Sequence, residues 1–164
     1  MISIRVVEIP KMKIVTSGLI RTEQAFEAFN SWWSTYDKTV LGKIAPRDFM
    51  VYNEREKMTE WFYVLPVPET SSRNYGGYEV KDFDFGLYAV ASNLDADCDE
   101  AKDWMQTKAE LEQYVQNSDI FDLSTPENDS CERYTMFHII SPQSYFERTG
   151  FHHQDMYVPI VYKK

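Results

Sequence analysis

Cysteine is almost missing from this chain: of 164 residues only Cys98 and Cys131 carry a thiol. Neither has a partner at metal-ligand spacing, and no disulfide framework surrounds them, which fits a reducing compartment. No apolar run approaches the ~18 residues of a membrane span. The opening Met-Ile-Ser-Ile-Arg-Val-Val-Glu-Ile-Pro goes straight into strand-like alternation without a signal-peptide core, so cytoplasmic residence is expected. Basic residues are few, 17 Lys and Arg against 26 Asp and Glu, for a net charge of −9. That balance argues against a general nucleic-acid binder, which needs clustered cations to neutralise phosphates. Histidine numbers three. His152-His153-Gln154-Asp155 invites a metal reading, but adjacent residues on a strand point in opposite directions and no third ligand has recognisable spacing. No metal and no cofactor is predicted. Nucleophile elbows, phosphate loops, dinucleotide fingerprints and zinc-protease motifs are all missing.

Apolar residues, at 43%, and aromatics, at 15%, are plentiful. They supply enough apolar surface to offset ordering entropy and exclude a disordered chain. The length suits one domain with a proper core, or two small modules sharing one. Extended pieces are predicted over Ile4 to Glu8 and Met12 to Leu19, joined at Ile9-Pro10. Thr22 is an N-cap for a helix whose stripe Ala25, Phe26, Phe29, Trp32, Trp33 and Tyr36 recurs at helical spacing and covers a sheet. Asp37 to Arg47 is a connection, Asp48 to Asn53 a strand, Glu54 to Thr59 a charged turn, and Glu60 to Val67 a β-prone strand.

Pro68 to Gly77 has a linker composition and divides the chain nearly in half. Beyond it the order repeats. Tyr78 to Ala91 gives two extended pieces around a turn at Asp84 to Gly86. Asp97 and Glu100 resemble a capping box opening a helix through Trp104, Met105, Leu111 and Val115. Ile120 to Asp129 is a polar loop, Cys131 to Ile139 a strand, and Met156 to Tyr162 a closing strand after a connection containing Gly150. Each half reads strand, helix, strand, strand, with Pro66 or Pro159 interrupting its last strand. The fold class expected is α+β: one domain over 1-164, built of two pseudo-symmetric β-α-β-β modules, about 1-70 and 77-164, that form antiparallel sheet with helices on one side and a central ligand cleft.

On the strand from Cys131 to Ile139, alternation sets Glu132, Tyr134, Met136 and His138 on one face. A carboxylate there implies either a solvated sheet face or a site awaiting a cationic partner. Tyr63, Tyr134 and Tyr157 lie on predicted strands, with Tyr88 and Trp104 nearby in the second half. Aromatics around a carboxylate make a suitable box for a delocalised organic cation, although most of them must serve the core.

Several short stretches, in order, resemble the GyrI-like small-molecule-binding domain, the effector-binding domain of AraC-type and MerR-type multidrug regulators. They are Val7-Glu8-Ile9-Pro10 with Met12-Lys13-Ile14-Val15, Glu60 to Val67, Gly86-Leu87-Tyr88-Ala89-Val90, Cys131-Glu132-Arg133-Tyr134, and Asp155-Met156-Tyr157-Val158-Pro159-Ile160. The resemblance implies two strand-helix-strand-strand modules about a pseudo-twofold axis, with a ligand cleft between them. It also implies that a glutamate in an aromatic cavity engages lipophilic cations, a role carried to Glu132, with Cys131 standing where the family commonly has an aromatic. Tyr134, Tyr63, Tyr88, Trp104 and Tyr157 are wall candidates by pattern. Lacking a basic recognition helix, the chain is similar to the stand-alone members.

The function expected is therefore binding of an aromatic or cationic small molecule in a sensor or sequestering role, with no direct nucleic-acid binding and no membrane. A first alternative is hydrolysis of cyclopropane-bearing electrophiles, with Glu132 as general base and Tyr134 assisting. A second is a protein-interaction role as a topoisomerase inhibitor, for which acidity is the only cue.

Overall fold

The computed structural model describes residues 3–43, 45–66, 74–96 and 102–164. Among these lie nine strands and three helices: β1 (Arg5–Ile9), β2 (Met12–Leu19), α1 (Glu23–Asp37), β3 (Asp48–Asn53), β4 (Met58–Val64), β5 (Glu79–Phe83), β6 (Gly86–Ala96), α2 (Lys102–Gln116), β7 (Phe121–Leu123), β8 (Met136–Ile139), α3 (Gln143–Thr149) and β9 (Phe151–Tyr162). Every strand pairing within the two units described below is antiparallel, so the class is α+β, as the sequence predicts.

The chain divides into a continuous unit, Lys11–Asp84, and a discontinuous one, Met1–Pro10 with Phe85–Lys164. The continuous unit runs β2-α1-β3-β4-β5, with strand order β3-β4-β2-β5. Thr22 caps α1 as expected, its Oγ1 accepting from the Ala25 amide at 3.1 Å, and the helix lays its aromatic stripe on one sheet face. Register decides which face. Asp48 stands opposite Tyr63 and Met50 opposite Trp61, so these residues, with Val15 opposite Tyr63, share the side that packs on Phe26, Phe29, Trp32, Trp33 and Tyr36. Burying rings of this size stabilises by about 2–3 kcal/mol each, which explains why so polar a helix holds its place.

The discontinuous unit has the corresponding order, β8-β9-β6-β1, with β7 added beside β9. Leu87, Ala89 and Ala91 of β6 and Met156, Val158 and Ile160 of β9 pack against Leu111 and Val115 of α2. Each unit therefore repeats β-α-β-β, with a fourth, outer strand: β5 in one, β1 in the other. The N-terminal strand thus belongs with the second half of the sequence, which the linker-based division at 68 to 77 does not anticipate.

Several boundaries differ from expectation, each for a local reason. Strand β8 starts at Met136, not Cys131, because Arg133 turns inward to bond backbone carbonyls. Strand β4 stops at Val64, so Pro66 lies outside it, and Val67 to Arg73 lie outside the described residues. Pro159, by contrast, sits within β9 opposite Tyr88. The supposed capping pair Asp97 and Glu100, and Cys98, also lie outside the described residues. Two elements were unexpected: β7, whose three residues are too few to show a period, and α3, whose Gln-Ser-Tyr-Phe-Glu-Arg-Thr closes on left-handed Gly150 (φ 79°). Strand β9 begins at Phe151, earlier than Met156, because His152 to Asp155 pair with β6.

Candidate functional site

The face of the discontinuous unit's sheet that α2 leaves uncovered collects an unusual set. Since Leu87, Ala89 and Ala91 point at α2, alternation turns Tyr88, Val90 and Ser92 the other way. Register places Tyr157 opposite Val90, Asp155 opposite Ser92, Met136 opposite Tyr157, and Arg5 of β1 opposite Val90 on its other flank. Tyr88 and Tyr157 meet edge to face, ring centroids 5.9 Å apart at 83°.

Beside the two phenols lies a buried carboxylate. Asp155 is 5% exposed, and an ion so placed is unfavourable unless paired. Its Oδ1 accepts from Ser92 Oγ at 2.6 Å, and its Oδ2 accepts from Arg5 Nη2. The Arg5 side chain itself stays 48% exposed. Burial, and then the negative charge of Asp155, push the Tyr157 phenol up to about 12, with Arg5 opposing them. Burial likewise raises Tyr88 above the usual tyrosine range against the pull of Arg133, whose guanidinium stands over the ring, 5.4 Å from its centroid. The Tyr88 hydroxyl is buried and, among the described residues, finds no hydrogen-bond partner.

Arg133 explains the path of residues 129 to 135. Its Nε donates to Asp129 Oδ2 at 2.7 Å, Nη1 to the carbonyls of Phe85 and Leu87 at 2.6 and 2.9 Å, and Nη2 to the Ile160 carbonyl at 3.0 Å and to Asp129 at 2.5 Å. All five guanidinium protons are thereby used, which is what allows so large an ion to be buried. Burial disfavours the ionised Asp129, but hydrogen bonds from Ser124, the Cys131 amide and Arg133 outweigh it and hold the carboxyl below its ordinary range.

The sequence-predicted residues fall into separate groups. Glu132 and Tyr134 flank the Arg133 anchor on irregular backbone; Glu132 is exposed, and the Tyr134 hydroxyl donates to its Oε1. Tyr88 and Tyr157 are brought together. Trp104, on α2, packs edge-on against Phe137, on the helix side of the sheet. Tyr63 belongs to the continuous unit, fully buried beneath α1, where its hydroxyl donates to Asp37 Oδ1 at 2.8 Å. Asp37 ends α1, where the helix dipole opposes a negative charge, and Lys43 Nζ at 2.5 Å compensates it.

Arg5, Ser92, Asp155 and Arg133 were not picked out as site residues. Alternation through Asp155-Met156-Tyr157 was the available signal, since it sets the acid and the tyrosine on one face. The two adjacent histidines diverge: His152 stacks on Phe146 at 4.5 Å with Nδ1 3.2 Å from Ser141 Oγ, while His153 Nε2 lies 3.2 Å from the Tyr145 hydroxyl. No group of three or more metal-capable side chains is found among the described residues, nor is any helix there long and apolar enough to cross a membrane.

No family model and no curated protein sequence matches the chain. Solved structures do. An uncharacterized conserved protein from Listeria innocua superposes over 96% of this chain and 92% of its own, with a TM-score of 0.63 at 10% identity. The EcmrR C-terminal domain does so over 98% of both chains, at 0.61 and 9%. A hydrolase from Listeria innocua covers 96% of this chain and 91% of its own, at 0.59 and 10%. Likeness at such identities is one of architecture, and it extends over nearly the whole length of each chain. This chain therefore shares the fold of these structures, the α+β architecture that its sequence predicts.

Proposed function

We propose that this protein is a binding domain for a lipophilic aromatic small molecule, received on the sheet face where Tyr157 and Tyr88 stand beside Asp155. The observation that carries the reading is that edge-to-face pair of phenols next to a buried carboxylate, on a face that the unit's own long helix leaves uncovered. Tyr157 offers a half-buried ring for stacking, while Tyr88 and Val90 form a rigid apolar floor. A sensing or sequestering role is the one the sequence resemblance implies, and the fold shared with the EcmrR C-terminal domain accords with it. Thermal-shift and calorimetric titration with triphenylphosphine oxide, tetraphenylarsonium and tetraphenylborate tests it. Saturable binding of at least one probe, lost in Tyr157→Ala and kept in the remote Tyr114→Ala, is expected. Binding that survives Tyr157→Ala undiminished, or no binding of any probe, would overturn the site.

One observation favours a second reading, hydrolysis of an electrophile. The Tyr134 hydroxyl donates to the solvent-accessible carboxylate of Glu132, a group able to act as general base on a water, and one of the similar structures is described as a hydrolase. Product analysis with strained electrophiles, wild type against Glu132→Gln, decides it: turnover abolished in the variant supports hydrolysis, and unchanged substrate in both rejects it.

A further inference from the structure

We infer that Arg5 is an inbuilt counter-cation that sets the charge preference of the binding face, so that the native site favours neutral and anionic aromatic ligands over cationic ones. The inference rests on the binding reading above and reverses the cationic expectation drawn from the sequence. Two arginines lie on this face, and they differ in how they are held. Arg133 is locked, with every proton engaged by carbonyls or by Asp129. Arg5 is on the outer strand β1 and reaches across β6 to Asp155 through Nη2, leaving nearly half of its side chain to solvent.

Both oxygens of Asp155 are already engaged, one by the Ser92 hydroxyl and the other by the Arg5 guanidinium, whose charge offsets that of the carboxylate. A cation approaching Tyr157 meets a guanidinium before it meets the carboxylate. To pair with Asp155 it must either share the carboxylate with Arg5 against like-charge repulsion or displace Arg5 and lose that ion pair. An anion, by contrast, finds the outward edge of Arg5 within the same patch as the Tyr157 ring, and a neutral aromatic needs neither group. Arg5 is thus a specificity-determining residue rather than part of the aromatic floor.

Removing Arg5 should unmask the acid. In titrations with the near-isosteric pair tetraphenylarsonium and tetraphenylborate, and with neutral triphenylphosphine oxide, wild type should bind the cation no more tightly than the anion. Arg5→Met should raise the cation-to-anion affinity ratio roughly tenfold, the low end for a close charge pair. The same variant should melt earlier than wild type and recover more on adding the cation, whereas Arg5→Lys should keep the wild-type ratio. Adding Asp155→Asn to Arg5→Met should erase the gain. A neutral probe bound equally by both proteins, with an unchanged charge ratio, would overturn the role of Arg5 while leaving the binding reading in place. Failure of all three probes to bind either protein would overturn both.

Discussion

Gly86 and Arg133 compete for the same space: a Cβ on Gly86 would stand 2.7 Å from Arg133 Nη1. Gly86 also has φ +76°, a conformation that L side chains rarely adopt. Gly86→Ala therefore combines backbone strain with displacement of a buried guanidinium, and should lower stability by roughly 3 kcal/mol. Gly42→Ala, at φ +73° with nothing within 4 Å, supplies the control and should cost only about 1 kcal/mol. Urea unfolding of both variants checks the difference.

Arg133→Met should cost about 3–5 kcal/mol, because it strands the carboxylate of Asp129 and three carbonyls in a buried place. The acid limb carries a second signature. The Asp129 carboxyl is held below its ordinary value of 3.8, so its contribution is fully present above that value and is lost as pH falls through the lower folded one. In Asp129→Asn this part of the acid-induced loss should vanish, leaving a protein less stable at pH 6 whose stability falls less between pH 4 and pH 2.

Tyr63→Phe removes the hydroxyl that donates to buried Asp37 and should cost roughly 1–3 kcal/mol by thermal or chemical unfolding. Lys43→Met, which strips the other partner from the same carboxylate, should act in the same direction.

Tyr63, Tyr88 and Tyr157 all hold their protons more tightly in the folded state than the ordinary value of 10.0 allows. For such groups stability is complete below that value and declines as pH rises above it, since the unfolded chain ionises first. Absorbance titration of phenolate should show these three silent at pH 11. Tyr157 should respond near pH 12, a step missing in Tyr157→Phe, and the other two only as the protein unfolds.

Glu132→Gln should change stability by less than about 0.5 kcal/mol, as expected for an exposed side chain. Any large functional effect of that variant would then be chemical in origin.

Strongly patterned elements were legible and short ones were not. The stripe from Ala25 to Tyr36 and the hydroxyl of Thr22 announce α1, and β2 and β3 fall where alternation and turn residues put them. In Trp61-Phe62-Tyr63-Val64-Leu65, however, every residue is apolar or aromatic, so alternation cannot tell which ring faces the helix. Only pairing with Asp48 turns Tyr63 toward α1. The site suffered from a related ambiguity. An Arg between Glu132 and Tyr134 reads as an ordinary strand residue, and nothing local reveals that its partners are carbonyls at Phe85, Leu87 and Ile160, some 27 to 48 residues away. The pairing of Arg5 with Asp155 crosses 150 positions and is visible only once β1, β6 and β9 are aligned.

Strand β1 pairs with β6, and this has a bearing on synthesis. A nascent chain that has delivered Asp84 holds every strand of the continuous unit, whose contacts are comparatively local and can close at once. Arg5–Ile9 has no partner in this sheet until Gly86 to Val90 emerge, and the carboxylate that Arg5 pairs with follows it by 150 positions. A strand made ahead of the continuous unit is thus secured only after it. During that wait its unpaired edge, Val6 and Val7 included, is the segment of the nascent protein most in need of shielding from other chains.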